Sequence, residues 1–262
     1  MAAWELWERS LVPKLLSGAG TWFGGDCRET IKICDDLQNF YWRVMLKVPE
    51  SCPKIALRCE PKMLGMKWRL WEKKILLLLQ IKQQDKSALS YQIYKEGKRR
   101  GWTGLGSEVA EICKALGLPD ANENHLTKEE VKGAVFDHHY MDMKKEMKDK
   151  SKKLKDICHE DFREVQTYFN HKSVENVRMA FRVRCNMVED IPANFKQKYK
   201  NDANGLQCSY CLEGGIFSQS HCLECLAWEE MRRGLDLTNI VVMATFFRKL
   251  INERERSKNL DV

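Results

Sequence analysis

Apolar residues recur every three to four positions along most of this chain, and clean strand alternation is missing. The pattern predicts a mainly α fold. A first helix, about Trp4 to Leu16, carries Trp4, Trp7 and Leu11 at helical spacing, and Pro13 is expected to kink or end it. The stretch GAGTWFGG then breaks the chain. Its glycines do not spell G-x-G-x-x-G and no strand precedes them, so turn chemistry accounts for them without a dinucleotide site. From Glu29 to Lys47 a second helix sets Ile33, Leu37, Phe40, Tyr41 and Val44 along one stripe, and Val48-Pro49 stops it. After the loop PESCPKIALRCEP, a third helix from about Lys62 to Gln83 carries Trp68, Leu70, Trp71 and the leucines from 76 to 79. That composition marks it as the most buried element. A fourth helix covers roughly Ser87 to Arg100.

Trp102 to Ser107 is glycine-rich and introduces a short helix, Glu108 to Leu116, closed by Gly117 and Pro119. DANENHL reads as a linker. Thr127 is positioned to cap a long polar helix, with Glu130 completing a capping box. The end of that helix, KKEMKDKSKKLKD, holds seven lysines against three acids and is expected to be a solvated basic segment. Ser173 opens SVENVRMAFRVRCNM, with Val177, Met179, Ala180, Phe181 and Val183 inward and Arg178, Arg182 and Arg184 around them. Thr238 is placed to cap a closing helix from about Asn239 to Glu253, with Val242, Phe246, Phe247 and Leu250 on one side. The expected organisation is a helical bundle over 1–118, a linker with a basic polar helix over 119–172, and a helical C-terminal region with a small metal-stabilised module over 173–262.

Composition narrows the function classes. The longest apolar run, Ile75 to Leu79, is far too short to span a bilayer, and MAAWELWERSL is interrupted by Glu5, Glu8 and Arg9, unlike a secretory leader. Eleven cysteines in such a chain are expected to be reduced thiols in the cytoplasm or nucleus, some of them metal ligands. A net charge of +7 favours an acidic partner such as nucleic acid.

The most specific chemistry lies in LQCSYCLEGGIFSQSHCLECLAW, where four cysteines and a histidine fall inside 18 positions. Cys208, Cys211, His221 and Cys225 follow the order C-x2-C-x9-H-x3-C. Zinc takes four soft or borderline ligands in a tetrahedron, and a C-x2-C knuckle presents two thiolates from one tight turn. If HCLECLAWEEMRRGL is helical, His221 and Cys225 share a face and complete the site. Cys222 competes as fourth ligand but points roughly 100° away on a helix. Buried, metal-free thiols are the plain alternative. A closed four-ligand site leaves no open position for a reactive water, so a structural zinc is expected rather than a catalytic one. Phe195, Tyr199 and Tyr210 lie among Lys196, Lys198 and Lys200, which pairs stacking faces with charges for phosphates. Arg182, Arg184, Lys196, Lys198, Tyr199 and Lys200 are the candidate nucleic-acid contacts.

Two enzyme readings are weaker. Ile33-Cys34-Asp35-Asp36 mimics the paired aspartates of a polymerase palm, but it sits within an amphipathic helix and only 34 residues precede Asp35. A cysteine nucleophile working with His138 or His139 has no spacing to support it.

The stretch LVPKLLSGAGTW resembles the segment that opens the thumb after the palm of reverse transcriptases from non-LTR (LINE-type) retrotransposons. Ser17 stands where that family usually has tyrosine or asparagine. DDLQNFYWRVMLKVPESCPKIAL and MLGMKWRLWEKKILLL are similar to the stretches that follow. FRVRCNMVEDIPANFK, leading into C-x2-C, QSHCLEC and AWEEMRRGLDL, resembles the cysteine-histidine tail of arthropod-type elements. The resemblance implies a thumb-like bundle that grips template-primer duplex and a tail that helps hold element RNA or target DNA. The palm and its catalytic aspartates are not found here, so the expected function is non-catalytic nucleic-acid binding without a small-molecule substrate. The rival expectation is a helical protein-interaction module in which the zinc knuckle only staples the fold.

Overall fold

The computed structural model describes residues 2–18, 28–150, 166–185, 187–188, 211 and 219–260. Helix dominates, and among these residues no strand occurs, as the apolar spacing predicts. The chain divides into two compact units, one of 1–41 with 61–150 and one of 42–60 with 151–262.

In the first unit, α1 (Ala2–Leu6) passes through a π turn (Trp7–Leu11) into α2 (Val12–Leu15). Pro13 neither ends nor breaks this run. The Val12 N–H reaches back five residues to the Trp7 carbonyl, so the turn ahead of the proline is widened where its ring would crowd the preceding carbonyl. Next comes α3 (Arg28–Leu46). Its apolar stripe does not face inward: Ile33 is 67% exposed and Phe40 62%, with Leu37 and Val44 exposed beside them. Buried along the helix instead are Gln38 and Asn39 in this unit and, past the boundary at 41, Trp42 and Leu46 in the second. Asp35 accepts the Met66 N–H at 2.9 Å, and Gln38 donates to the Leu64 carbonyl at 3.3 Å. Asp35 thus holds the start of the helix that begins at Met66, where a carboxylate also suits the helix dipole. That gives Asp35 a structural role.

Two helices follow, α4 (Lys54–Cys59), which belongs to the second unit, and α5 (Met66–Gln83), which is the buried centre of the first. Trp68, Ile75, Leu78 and Leu79 of α5 pack with Val109 and Ile112 of α7 (Leu105–Ala115) and with Val131 and Val135 of α8 (Lys128–Lys150). The buried Lys74 ammonium pairs with the Glu108 carboxylate. Between them, α6 (Leu89–Arg100) ends in left-handed Gly101 (φ 65), with the Trp102 N–H on the Gly97 carbonyl at 2.9 Å and the Gly101 N–H on Lys98. Gly117 closes α7 with the same pair of bonds.

The DANENHL stretch is packed rather than a loose linker. Ala121 and Leu126 join the core, and Lys82 donates to the Ala121 carbonyl at 2.6 Å. The capping box that opens α8 forms as expected, with Thr127 N–H on Glu130 at 2.7 Å and Glu130 N–H on Thr127 Oγ1 at 3.2 Å. This helix belongs to the first unit, and Tyr140, Met143 and Met147 are buried along it. Burial of Met147 corrects the expectation that the KKEMKDK stretch is solvated all round. The lysines at 151–156 lie outside the described residues.

In the second unit a 3-10 turn (Thr167–Asn170) precedes α9 (Val174–Arg184), which Ser173 caps by accepting the Asn176 N–H. It packs closely on α12 (Ile240–Leu260), where Phe246, Phe247 and Leu250 are fully buried. The cap of α12 is Asn239, whose Oδ1 accepts the Val241 N–H at 3.0 Å, rather than the neighbouring Thr238. Thr238 is held instead by Asp236, its N–H 3.1 Å from the carboxylate. Two short helices stand between, α10 (Gln219–Glu224) and α11 (Glu229–Arg232), joined by a 3-10 turn (Leu226–Trp228). No helix of the described residues is long and apolar enough to cross a membrane.

Candidate metal centre

The sequence places a histidine on a short helix and a cysteine four residues later, and the fold turns that spacing into a shared face. His221 lies on α10, and the Cys225 N–H closes the last helical bond on the His221 carbonyl at 2.7 Å. The helix does not continue as one rod through HCLECLAWEEMRRGL. Cys225 leaves helical geometry (φ −54, ψ 125), and a 3-10 turn follows. The two side chains still meet Cys211: the ligand atoms of Cys211, His221 and Cys225 lie within 4.8 Å of one another, and Cys211 Sγ is 3.4 Å from His221 Nε2.

Burial suits a metal group. Cys225 is buried, whereas Cys211 and His221 are partly covered. No other such cluster of histidine, cysteine or carboxylate groups occurs among the described residues. Cys222 is also buried but is not a member of it, which agrees with Cys225 as the ligand of choice. None of the eight described cysteines is in a disulfide. These three side chains can hold a metal ion. The fourth predicted ligand, Cys208, lies outside the described residues.

What steadies this cluster was not visible in the spacing. Arg232, on α11, folds back over the end of α10 and donates to the carbonyls of Cys222 at 3.1 Å, Glu224 at 3.2 Å and Cys225 at 2.7 Å. The last carbonyls of a helix have no partner within it and carry its negative dipole end, so a guanidinium there satisfies both needs. At the other end, Gln219 donates to the Val183 carbonyl at 2.9 Å and ties α10 to the end of α9. The only sequence signal for Arg232 is a basic residue eight positions past the end of α10, closing α11.

The other predicted contacts divide sharply. Arg182 is only 7% exposed, and its guanidinium donates to the Lys47 carbonyl. Arg184 meets fully buried Glu60 through two bonds, at 2.8 and 3.1 Å, and Tyr168 donates its hydroxyl to the same carboxylate at 2.7 Å. Burial, and then the adjacent Glu60 charge, hold the Tyr168 phenol well above its ordinary value of 10.0, so it stays a neutral donor. Both arginines are engaged inside the second unit, which corrects their assignment to a nucleic-acid surface. Lys196, Lys198, Tyr199 and Lys200 lie outside the described residues. His139 is buried with Nε2 3.0 Å from the Met63 carbonyl, and His138 bonds the Ala134 carbonyl at 2.9 Å. These are internal hydrogen bonds of the first unit.

Sequence reasoning also passed over a cavity of about 590 Å³ in the first unit, between α6, the loop after it and the start of α7. Its glycine-rich wall, Trp102 to Ser107, reads in the sequence only as the lead-in to a short helix. Compared with protein-family models, with curated proteins and with solved structures, the chain gives no match.

Proposed function

We propose that this chain is a non-catalytic nucleic-acid-binding portion of a LINE-type reverse transcriptase, with a structural zinc ion ordering its C-terminal tail. The observation that carries the reading is the convergence of Cys211, His221 and Cys225. Zinc with sulfur at about 2.3 Å and nitrogen at about 2.0–2.1 Å sets those two atoms about 3.5 Å apart on a tetrahedron. The 3.4 Å between Cys211 Sγ and His221 Nε2 matches that edge. Cys208, three positions before Cys211 in the C-x2-C knuckle pattern, supplies the fourth ligand, and Cys211, His221 and Cys225 supply the rest. With four protein ligands the ion's role is structural.

The binding surface in this reading is the connector before the knuckle, where Lys196, Lys198 and Lys200 meet phosphates and Tyr199 stacks. With Arg182 and Arg184 turned inward, the electrostatic contacts of the tail fall to these lysines. The family assignment rests on the stretches from LVPKLLSGAGTW to AWEEMRRGLDL and on the helical architecture that accompanies them. Replacing Lys196, Lys198 and Lys200 together with alanine is expected to weaken binding of single-stranded RNA or DNA. It should also flatten the dependence of log affinity on log salt by about 2, since each phosphate contact on a single strand contributes about 0.7. The measurement is fluorescence anisotropy across a salt series. Unchanged affinity and slope would remove the connector from the binding surface.

A second reading, a helical protein-interaction module stapled by zinc, is favoured by the exposed stripe of Ile33, Leu37, Phe40 and Val44 on α3. That spacing is how an amphipathic helix presents anchors to a groove. Zinc uptake without polynucleotide affinity at moderate salt would select it.

A further inference from the structure

On α3 the apolar stripe meets solvent while Gln38 and Asn39 are buried, the reverse of an ordinary surface helix. Ile33, Leu37, Phe40 and Val44 succeed one another at intervals of four, three and four residues, the spacing by which two helices interlock along a seam. They stand on one helix that runs from Arg28 to Leu46 without a break. Single exposed apolar residues are ordinary, but four along one helix face mark an interaction surface.

The order of the residues says what fits there. Taken from the two ends inward, Ile33 with Val44 and then Leu37 with Phe40, the stripe is symmetric about a point between positions 38 and 39. A second copy of the same stripe, running the other way, therefore sets Leu37 opposite Phe40 and Ile33 opposite Val44 twice over. Charge selects that direction. Asp36 and Arg43 each stand just before a stripe residue, Leu37 and Val44, and so lie on the same flank of it. Two turns apart, they are beyond the three- and four-residue spacings at which charges pair within one helix. Antiparallel packing brings like flanks together, so Asp36 of each copy meets Arg43 of the other in two ion pairs related by the two-fold axis. Parallel packing brings opposite flanks together and sets Asp36 against Tyr41, with no ion pair. Asp36 is exposed, and the Arg43 guanidinium donates to the Glu50 carbonyl at 3.2 Å, a neutral acceptor that leaves its charge for a carboxylate.

We propose that α3 joins two copies of this chain as an antiparallel helix pair, its two-fold axis flanked by Asp36–Arg43 ion pairs. The pairing goes beyond the nucleic-acid reading and does not depend on it; in the interaction-module reading it names a second copy as the partner of the stripe. Four apolar side chains and two charges from each copy make a contact at the small end of specific interfaces, so the dimer is weak and concentration-dependent.

The test is sedimentation velocity of the full chain, without nucleic acid, over concentrations from about 1 to about 100 μM. Wild type should pass from monomer to dimer within that range. Phe40→Glu, at an exposed site, should remain monomeric throughout while its thermal melting matches wild type. Asp36→Arg and Arg43→Asp each set like charges against one another across the axis and should weaken self-association by about tenfold or more. Mixed in equal amounts, these two variants should form a heterodimer about as tight as the wild-type dimer, because both arginines of one chain then meet aspartates of the other. A variant that had merely misfolded would not be rescued by mixing. Wild type still monomeric at about 100 μM overturns the proposal and leaves the stripe to a different partner. A dimer that survives Phe40→Glu, or a mixture no tighter than either variant alone, overturns it as well. Because association is read without nucleic acid, its absence leaves the anisotropy test of the connector lysines unaffected.

Discussion

Glu60 shows how far a residue's role can depart from what its letter suggests. It caps the end of α4, in a segment whose sequence reads as a loop, yet it is the fully buried anion of the second unit, held by Arg184 and Tyr168 from segments more than a hundred positions away. A buried ion pair is a weak net source of stability, but removing one partner leaves the other charge uncompensated. Glu60→Gln keeps the shape and removes the charge that Arg184 faces. It should lower the unfolding free energy of the second unit by about 3–5 kcal/mol, read from chemical denaturation. A loss below about 1 kcal/mol would show that Arg184 finds solvent or another partner. The same contacts explain why Arg182 and Arg184 misled a reading by type: arginines around an apolar helix face suit phosphate, and only distant carbonyl and carboxylate partners turn them inward.

Among the elements, periodicity identified the helices well and their orientation less so. The capping box at Thr127, the buried α5 and the inward face of α9 follow from local pattern. On α3 the stripe was legible but its direction was not, because Asp35 and Gln38 make the inward face through a helix start and a carbonyl distant in sequence. The metal cluster was legible because its ligands are local and regularly spaced. Its support was not, since Arg232 acts through backbone carbonyls that any sequence possesses. Arg232→Ala should leave the ligands in place but loosen the end of α10. Groups that orient metal ligands typically contribute 10–100-fold in affinity, so zinc should bind about tenfold more weakly or worse in competition with a chelating dye. Unaltered affinity would reduce Arg232 to a surface cap.

At the scale of the whole molecule, the two units make different demands. The first has an apolar core formed by α5, α7 and α8. The second carries the short helices α10 and α11, too small to hold their shape by helix propensity, and under the proposed reading an ion held by Cys211, His221 and Cys225 supplies the missing order. Structural zinc in small folding units provides on the order of 10–16 kcal/mol of apparent free energy. The most direct test is therefore the zinc content, by elemental analysis, of reduced protein purified without chelator, beside a variant with both His221→Ala and Cys225→Ser. The account predicts one equivalent of zinc in the wild type and close to none in the variant. Far less than one equivalent in the wild type, or an equivalent retained by the variant, would contradict it.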